Sequence, residues 1–168
     1  MPASPQSRIH LLPIGPDDWQ LWRKARLQAL AEAPYAFSSK LADWRGEGDR
    51  QWRWRSRLAE VPFNLVSYLD HEAAGMVSVT APEETTVELI SMWVAPFARG
   101  QGVGNALVTA VIGWGKEQAA ARISLAVVQS NSRAIALYRR HGFVDGGSLD
   151  SDDPSIPPER RMIRDLNE

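Results

Sequence analysis

The stretch Trp93-Val94-Ala95-Pro96-Phe97-Ala98-Arg99-Gly100-Gln101-Gly102-Val103-Gly104-Asn105-Ala106-Leu107 holds the residues whose spacing speaks most plainly of chemistry. An apolar run leads in, Pro96 stops it, and three glycines at alternate positions open directly onto apolar residues at helical spacing. A strand, a glycine loop and a helix start together make an anion cradle: glycines leave backbone N–H groups uncovered, and the helix dipole adds positive potential. Phosphate is the natural guest. A mononucleotide loop would require lysine and then serine or threonine after the last glycine, where the chain has Asn105 and Ala106. A dinucleotide fingerprint counted from Gly100 and Gly102 would require glycine at Asn105 and an acidic residue ending the next strand, which instead ends in Gln129, Ser130 and Asn131. There remains the pattern Arg-x-x-Gly-x-Gly of Arg99, Gly102 and Gly104, against the alternative of a glycine-rich turn that binds nothing.

The elements that must hold this loop are legible on both sides. Ile9 to Pro13 reads as a strand, and Pro16-Asp17-Asp18 as a helix start whose apolar face is Trp19, Trp22, Ala29 and Leu30, closed by Pro34. Asp49 to Leu58 suggests a second helix whose arginines form a basic exposed side. Phe63 to Leu69 and Gly75 to Ala81 predict a hairpin turning at Asp70-His71-Glu72-Ala73, and Thr86 to Val94 a strand feeding the loop. Val103, Ala106, Leu107, Ala110, Val111 and Trp114 mark a helix with one buried stripe. Arg122 to Val128 is a strand, Ser132 to His141 a short helix closed by Gly142, and the stretch begun by Phe143-Val144 with Arg160 to Arg164 a last pair of strands.

Length and composition bound the rest. A chain of 168 residues suits one domain with its own core. The expected division is residues 1–8 as a flexible N-terminus and residues 9–168 as the domain, and Met1 to Arg8 lacks the apolar run of a signal peptide or membrane span. The default is a cytoplasmic protein. A net charge of -1, with both signs spread along the chain, gives no reason to expect nucleic acid or membrane as partner. Without cysteine there is no disulfide, thiolate metal site or cysteine nucleophile, and His10, His71 and His141 lack metal-ligand spacing, so no metal is expected.

Two separated segments go further. Glu88-Leu89-Ile90-Ser91-Met92-Trp93-Val94-Ala95-Pro96 with the loop Arg99 to Gly104, and then Asn131-Ser132-Arg133-Ala134-Ile135-Ala136-Leu137-Tyr138-Arg139-Arg140-His141-Gly142-Phe143, closely resemble the central motifs of the GCN5-related N-acetyltransferase (GNAT) superfamily. The resemblance runs from about Val87 to Phe143, in the right order and at the right distance. It implies an α/β single-domain GNAT fold: a mixed, mostly antiparallel sheet of about seven strands flanked by about four helices, with a splayed parallel strand pair. It also implies acetyl-CoA as acetyl donor, with pantetheine on the main chain of Met92, Trp93 and Val94 and pyrophosphate on the amides of Arg99, Gly100, Gln101, Gly102, Val103 and Gly104. Asn131 matches the family's asparagine that holds pantetheine or orients the second helix, a role compatible with a plain helix cap. Arg133, Arg139 and Arg140 form a basic cluster on the last helix: Arg139 and Arg140 read as solvated charge, while for Arg133 contact with the phosphates at the adenosine end and solvated charge both stand.

Such a site needs a base, because an alkyl amine of pKa roughly 10 is protonated at neutral pH. The family often puts a catalytic glutamate where Glu88 stands, acting directly or through water; the bland reading is a glutamate in a surface ladder. Tyr138 matches the tyrosine that protonates the leaving thiolate; the bland reading is a packing residue. Backbone N–H groups near Val94 would serve the oxyanion. The function implied is N-acetyltransfer to a primary amine, on a small molecule or a protein, by direct attack in a ternary complex, with a non-catalytic acyl-CoA-binding or sensing module as the alternative. A homodimer is an expectation from relatives. For the acceptor, an acidic loop at Asp150, Asp152 and Asp153 drawing in a cationic amine, with Trp44, Trp52 or Trp54 as a pocket wall, stands beside the readings of an ordinary solvated loop and of tryptophans as core and rim side chains.

Overall fold

The computed structural model describes residues 8–37 and 40–167. The expected flexible segment lies outside this range except for Arg8, which donates from Nε to the Asp70 carboxylate at 3.0 and 3.1 Å.

Seven strands form one sheet in the order β1-β2-β3-β4-β5-β7-β6. They are β1 Ile9–Pro13, β2 Phe63–Leu69, β3 Glu72–Val79, β4 Thr86–Val94, β5 Arg122–Val128, β6 Val144–Leu149 and β7 Glu159–Asp165. Only β4 and β5 run parallel; every other neighbouring pair is antiparallel. Four α-helices cover the sheet: α1 Trp19–Glu32, α2 Gln51–Glu60, α3 Val103–Glu117 and α4 Ser132–Arg140. The β2–β3 turn is tighter than the sequence suggests. Asp70 and His71 alone carry it, both at positive φ, and Glu72 already begins β3.

Strand alternation divides the core in two. Leu65, Val77, Val79, Val87 and Leu89 meet Val103, Leu107 and Val111 of α3 with Ile135 and Tyr138 of α4. On the other face Val66, Met76 and Trp93 meet Trp22, Ala25 and Ala29 of α1 with Trp54 and Leu58 of α2.

Leu89 and Trp93 lie four residues apart yet belong to opposite cores. A bulge explains this. Opposite β3, Met76 and Ser78 are two residues apart whereas their partners Trp93 and Ile90 are three apart, so β4 carries an extra residue, and Ser91 has φ +56. One added residue inverts the side-chain alternation beyond it. Gly75 makes room for this. A Cβ there would lie 2.6 Å from the Trp93 carbonyl oxygen, so only glycine tolerates the approach.

Candidate active site

The parallel pair β4–β5 is joined only at Thr86, Val87 and Glu88, opposite Arg122, Ile123 and Ser124. Beyond Glu88, β4 continues with β3 as far as Val94 and β5 continues with β7 as far as Val128. The strands thus part into a V. Between them opens a cleft of about 690 Å³, within the range of small-molecule sites.

The glycine loop forms one wall, and its glycines have separate reasons to be glycine. Gly100 and Gly102 adopt φ of +78 and +93, which side chains resist, and Gly102 is the residue before the first turn of α3. Gly104 lies inside α3, where a Cβ would stand 3.0 Å from Leu137 Cδ2, so its bareness lets α4 close on α3. All three line the cleft, whereas Gln101 and Val103 do not: Gln101 turns its amide to the Phe97 carbonyl at 2.9 Å, and Val103 is buried in the core. Any contact these two make with a donor is through the backbone.

Arg99 also lines the cleft, but its guanidinium is engaged elsewhere. Nη2 donates to both carboxylate oxygens of Glu32 at 2.9 and 3.0 Å, and Nε donates to the Val94 carbonyl at 3.2 Å. Trp93 Nε1 donates to the same Glu32 at 2.9 Å. One carboxylate at the end of α1 therefore ties the last turn of β4 to the glycine loop. Glu32 is absent from the sequence reading. Its signal was an acid in the last turn of a helix, the end its dipole disfavours.

Met92, Trp93 and Val94 line the cleft from β4; Asn131, Arg133 and Tyr138 line it from the opposite side. Asn131 caps α4, its Oδ1 accepting from the Ala134 amide at 3.2 Å. Tyr138 is almost wholly buried against Phe143, ring centroids 5.7 Å apart, and burial pushes its hydroxyl well above the usual tyrosine range. Burial thus favours the neutral phenol over the phenolate. Arg140, which the sequence suggests is solvated, lines the cleft as well. Glu88 does not. It sits at the apex of the V, at the last residue paired to β5, with its amide donating to Thr80 Oγ1 at 3.0 Å.

The acceptor end differs from expectation. None of Trp44, Trp52 and Trp54 lines the cleft. Trp54 is fully buried, tilted against Trp44 with ring centroids 4.5 Å apart and donating Nε1 to Asp49 at 2.8 Å, while Trp52 is 68% exposed to solvent. Tyr35, Ala36 and Phe37, in the turn after α1, form that wall instead. The aspartates of the 150–153 loop also lie off the cleft, and Asp153 spends its carboxylate on the amide and hydroxyl of Ser155. The basic side of α2 is only partly exposed. Arg57 turns inward and donates to Asn64 Oδ1 at 3.1 Å, Ser78 Oγ at 3.2 Å and Ser91 Oγ at 3.3 Å.

A family model described as the acetyltransferase (GNAT) family matches residues 25–143. The chain belongs to that family. Solved GNAT folds superpose along nearly the whole chain. A putative acetyltransferase from Salmonella typhimurium, solved with its cofactor acetyl-CoA, matches with TM-score 0.74 at 16% identity, covering 96% of this chain and 95% of that one. A PaiA N-acetyltransferase from Thermoplasma acidophilum in complex with coenzyme A matches with TM-score 0.69 at 14% identity, covering 94% and 98%. Among curated sequences, a mycothiol acetyltransferase of Renibacterium salmoninarum is 26% identical over 84% of this chain and 42% of its own length. The chain spans less than half the length of the curated relatives it matches. Among the described residues, no helix is long and apolar enough to cross a membrane, and no group of three or more His, Cys, Asp or Glu is arranged to hold a metal.

Proposed function

We propose that this GNAT protein transfers the acetyl group of acetyl-CoA to a primary amine by direct attack in a ternary complex. The observation that carries the reading is the V between β4 and β5, with the Gly100–Gly104 loop and the start of α3 on one wall and the buried Tyr138 on the other. The residues present fit the donor. Bare backbone at positive φ and a helix start suit a pyrophosphate, and among the described residues no Asp or Glu lines the cleft to repel it. Arg133 and Arg140 add positive charge on the α4 side.

The donor supplies an activated thioester; the chain supplies position and protons. The main chain of Met92 to Val94 orients the pantetheine arm, and N–H groups at this edge stabilise the developing oxyanion. Arg99 acts here through its tie to Glu32 and Val94, holding loop and strand in register. Glu88, itself off the cleft but next to the cleft-lining Leu89, takes the ammonium proton through water. Tyr138 returns a proton to the departing thiolate. With no cysteine in the chain, direct transfer is the simplest route.

The test is calorimetry with acetyl-CoA, followed by thiol release with a panel of primary amines in wild type, Glu88→Gln and Tyr138→Phe. The proposal expects binding and amine-dependent thiol release that both substitutions depress. Absence of binding heat and of any rise in melting temperature would remove the donor assignment; binding with unchanged rates in both variants would remove the catalytic roles.

A further inference from the structure

Beside the bulge, on the face opposite α3 and α4, two guanidiniums are buried without an acid. Arg26 of α1 is 9% exposed and Arg57 of α2 is partly buried. Every hydrogen-bond partner of Arg57 among the described residues is neutral: Asn64, Ser78 and Ser91. Its guanidinium also lies over the Trp22 ring, 5.1 Å from the centroid. Arg26 lies over Phe37 at 4.7 Å, and its Nη1 is fully buried with no hydrogen-bond partner among the described residues. No Asp or Glu of the described residues forms an ion pair with either one; Glu60 acts on Arg57 only from a distance. Burial pushes both guanidiniums down to about 10, and the charge of Arg57 adds to the effect on Arg26. At neutral pH both are still charged, and buried like charges without a counterion are costly to keep.

Neither arginine lines the cleft itself; each reaches it through a residue it touches. Ser91, which accepts from Arg57, and Phe37, which lies under Arg26, are cleft-lining residues of the acceptor end. On the proposed mechanism the thioester lies along Met92 to Val94, so an amine attacking it comes in past Ser91. No carboxylate of the described residues lines the cleft to greet a polycation.

We propose that the acceptor is a small amine that itself carries a carboxylate, docked on the Arg57 and Arg26 side of the bulge while its amine faces the thioester. This rests on the acetyltransferase reading and adds the substrate class. The carboxylate supplies the counter-charge that the two guanidiniums lack, and Arg57 offers planar donors of the kind that grip a carboxylate. The cationic-amine acceptor suggested by the acidic 150–153 loop is replaced by one bearing an anionic group. Ser91 hydroxyl, held by Arg57 at the bulge, sets where that group meets the strand.

The test uses the full chain saturated with coenzyme A, titrated calorimetrically at low salt with the α-amino acids and, in parallel, their carboxamides. At least one acid is expected to bind about ten-fold or more tighter than its amide. Arg57→Gln is expected to abolish that preference, Arg57→Lys to retain part of it, and Arg26→Gln to reduce it; melting temperatures identify any variant that has not folded. Equal affinity of acids and amides in wild type, or binding by no acid, overturns the proposal, as does tighter binding of an alanyl peptide with a neutral C-terminus than of every acid. Loss of coenzyme A binding itself would count against the acetyltransferase reading. Coenzyme A binding with no preference for acids counts against the carboxylate alone.

Discussion

Glu32→Gln separates two roles for Arg99. The tie consists of two contacts from Arg99 Nη2 and one from Trp93 Nε1, all between 2.9 and 3.0 Å. The Arg99 and Glu32 side chains are 30% and 27% exposed, so solvent screens the pair and it is worth at most about 1 kcal/mol, with the Trp93 bond adding about as much again. Glutamine keeps the shape and one acceptor but loses the charge. The expected loss is about 1 kcal/mol of stability, or about 2–4 °C in melting temperature for a domain of this size, read by urea and thermal unfolding. The same loss falls on the loop that cradles the donor, so acetyl-CoA affinity should weaken about five-fold. The sign is decisive. Were Arg99 a phosphate ligand held back by Glu32, releasing it would tighten acetyl-CoA binding, and a tighter complex in Glu32→Gln refutes the positioning role.

Other consequences follow from the same geometry. Tyr138→Phe should lower the rate of thiol release by about 10²-fold or more while leaving acetyl-CoA affinity near wild type, as measured by steady-state kinetics beside calorimetry; an unchanged rate makes Tyr138 a packing residue. Gly75→Ala places a methyl 2.6 Å from the Trp93 carbonyl and should cost about 1–3 kcal/mol in urea unfolding, with a parallel loss of acetyl-CoA affinity as the bulge shifts. Stability at or above that of wild type would mean the strands part there without cost. Asp49 is held at about 2, below the ordinary 3.8, first by the Arg23 hydrogen bond and then by that of Trp54. Because the folded value is depressed, its contribution is complete above the unfolded value and is lost as pH falls through the folded one. Wild type should therefore exceed Asp49→Asn by a steady margin above pH about 5, about 1 kcal/mol after allowing for solvent, and the margin should shrink between pH about 4 and 2. A margin that does not vary with pH contradicts this.

The fold was legible because its elements announce themselves. Phe63–Leu69, Thr86–Val94 and Arg122–Val128 are apolar runs bounded by turns, and Val103 to Glu117 keeps one apolar stripe. The cleft was legible for the related reason that its walls depend on glycines at fixed spacing and on a tyrosine in a short helix, all of which line it. The bulge was not. Nothing in the residue type of Ser91 marks a positive φ, and the inversion it causes emerges only when Trp93 is found opposite Leu89. The tryptophans and aspartates suggested for the acceptor do not line the cleft, and of the two readings of each it is the structural one that fits. Trp54 is bound by its hydrogen bond to Asp49, and Asp153 by its own turn. The informative residues were arginines in apolar company: Arg26 falls on the buried face of α1 with Trp22, Ala25 and Ala29, a place a solvated charge does not occupy.

Amide hydrogen exchange with and without acetyl-CoA tests the central claim most directly, because it reports where the donor lies as well as whether it binds. The account predicts added protection concentrated in the outer half of β4 from Leu89 to Val94, in the loop from Arg99 to Gly104 and in the first turn of α4, with β1, α2 and the outer strand β6 little changed. Protection absent from β4 and the loop, or concentrated elsewhere, would contradict it.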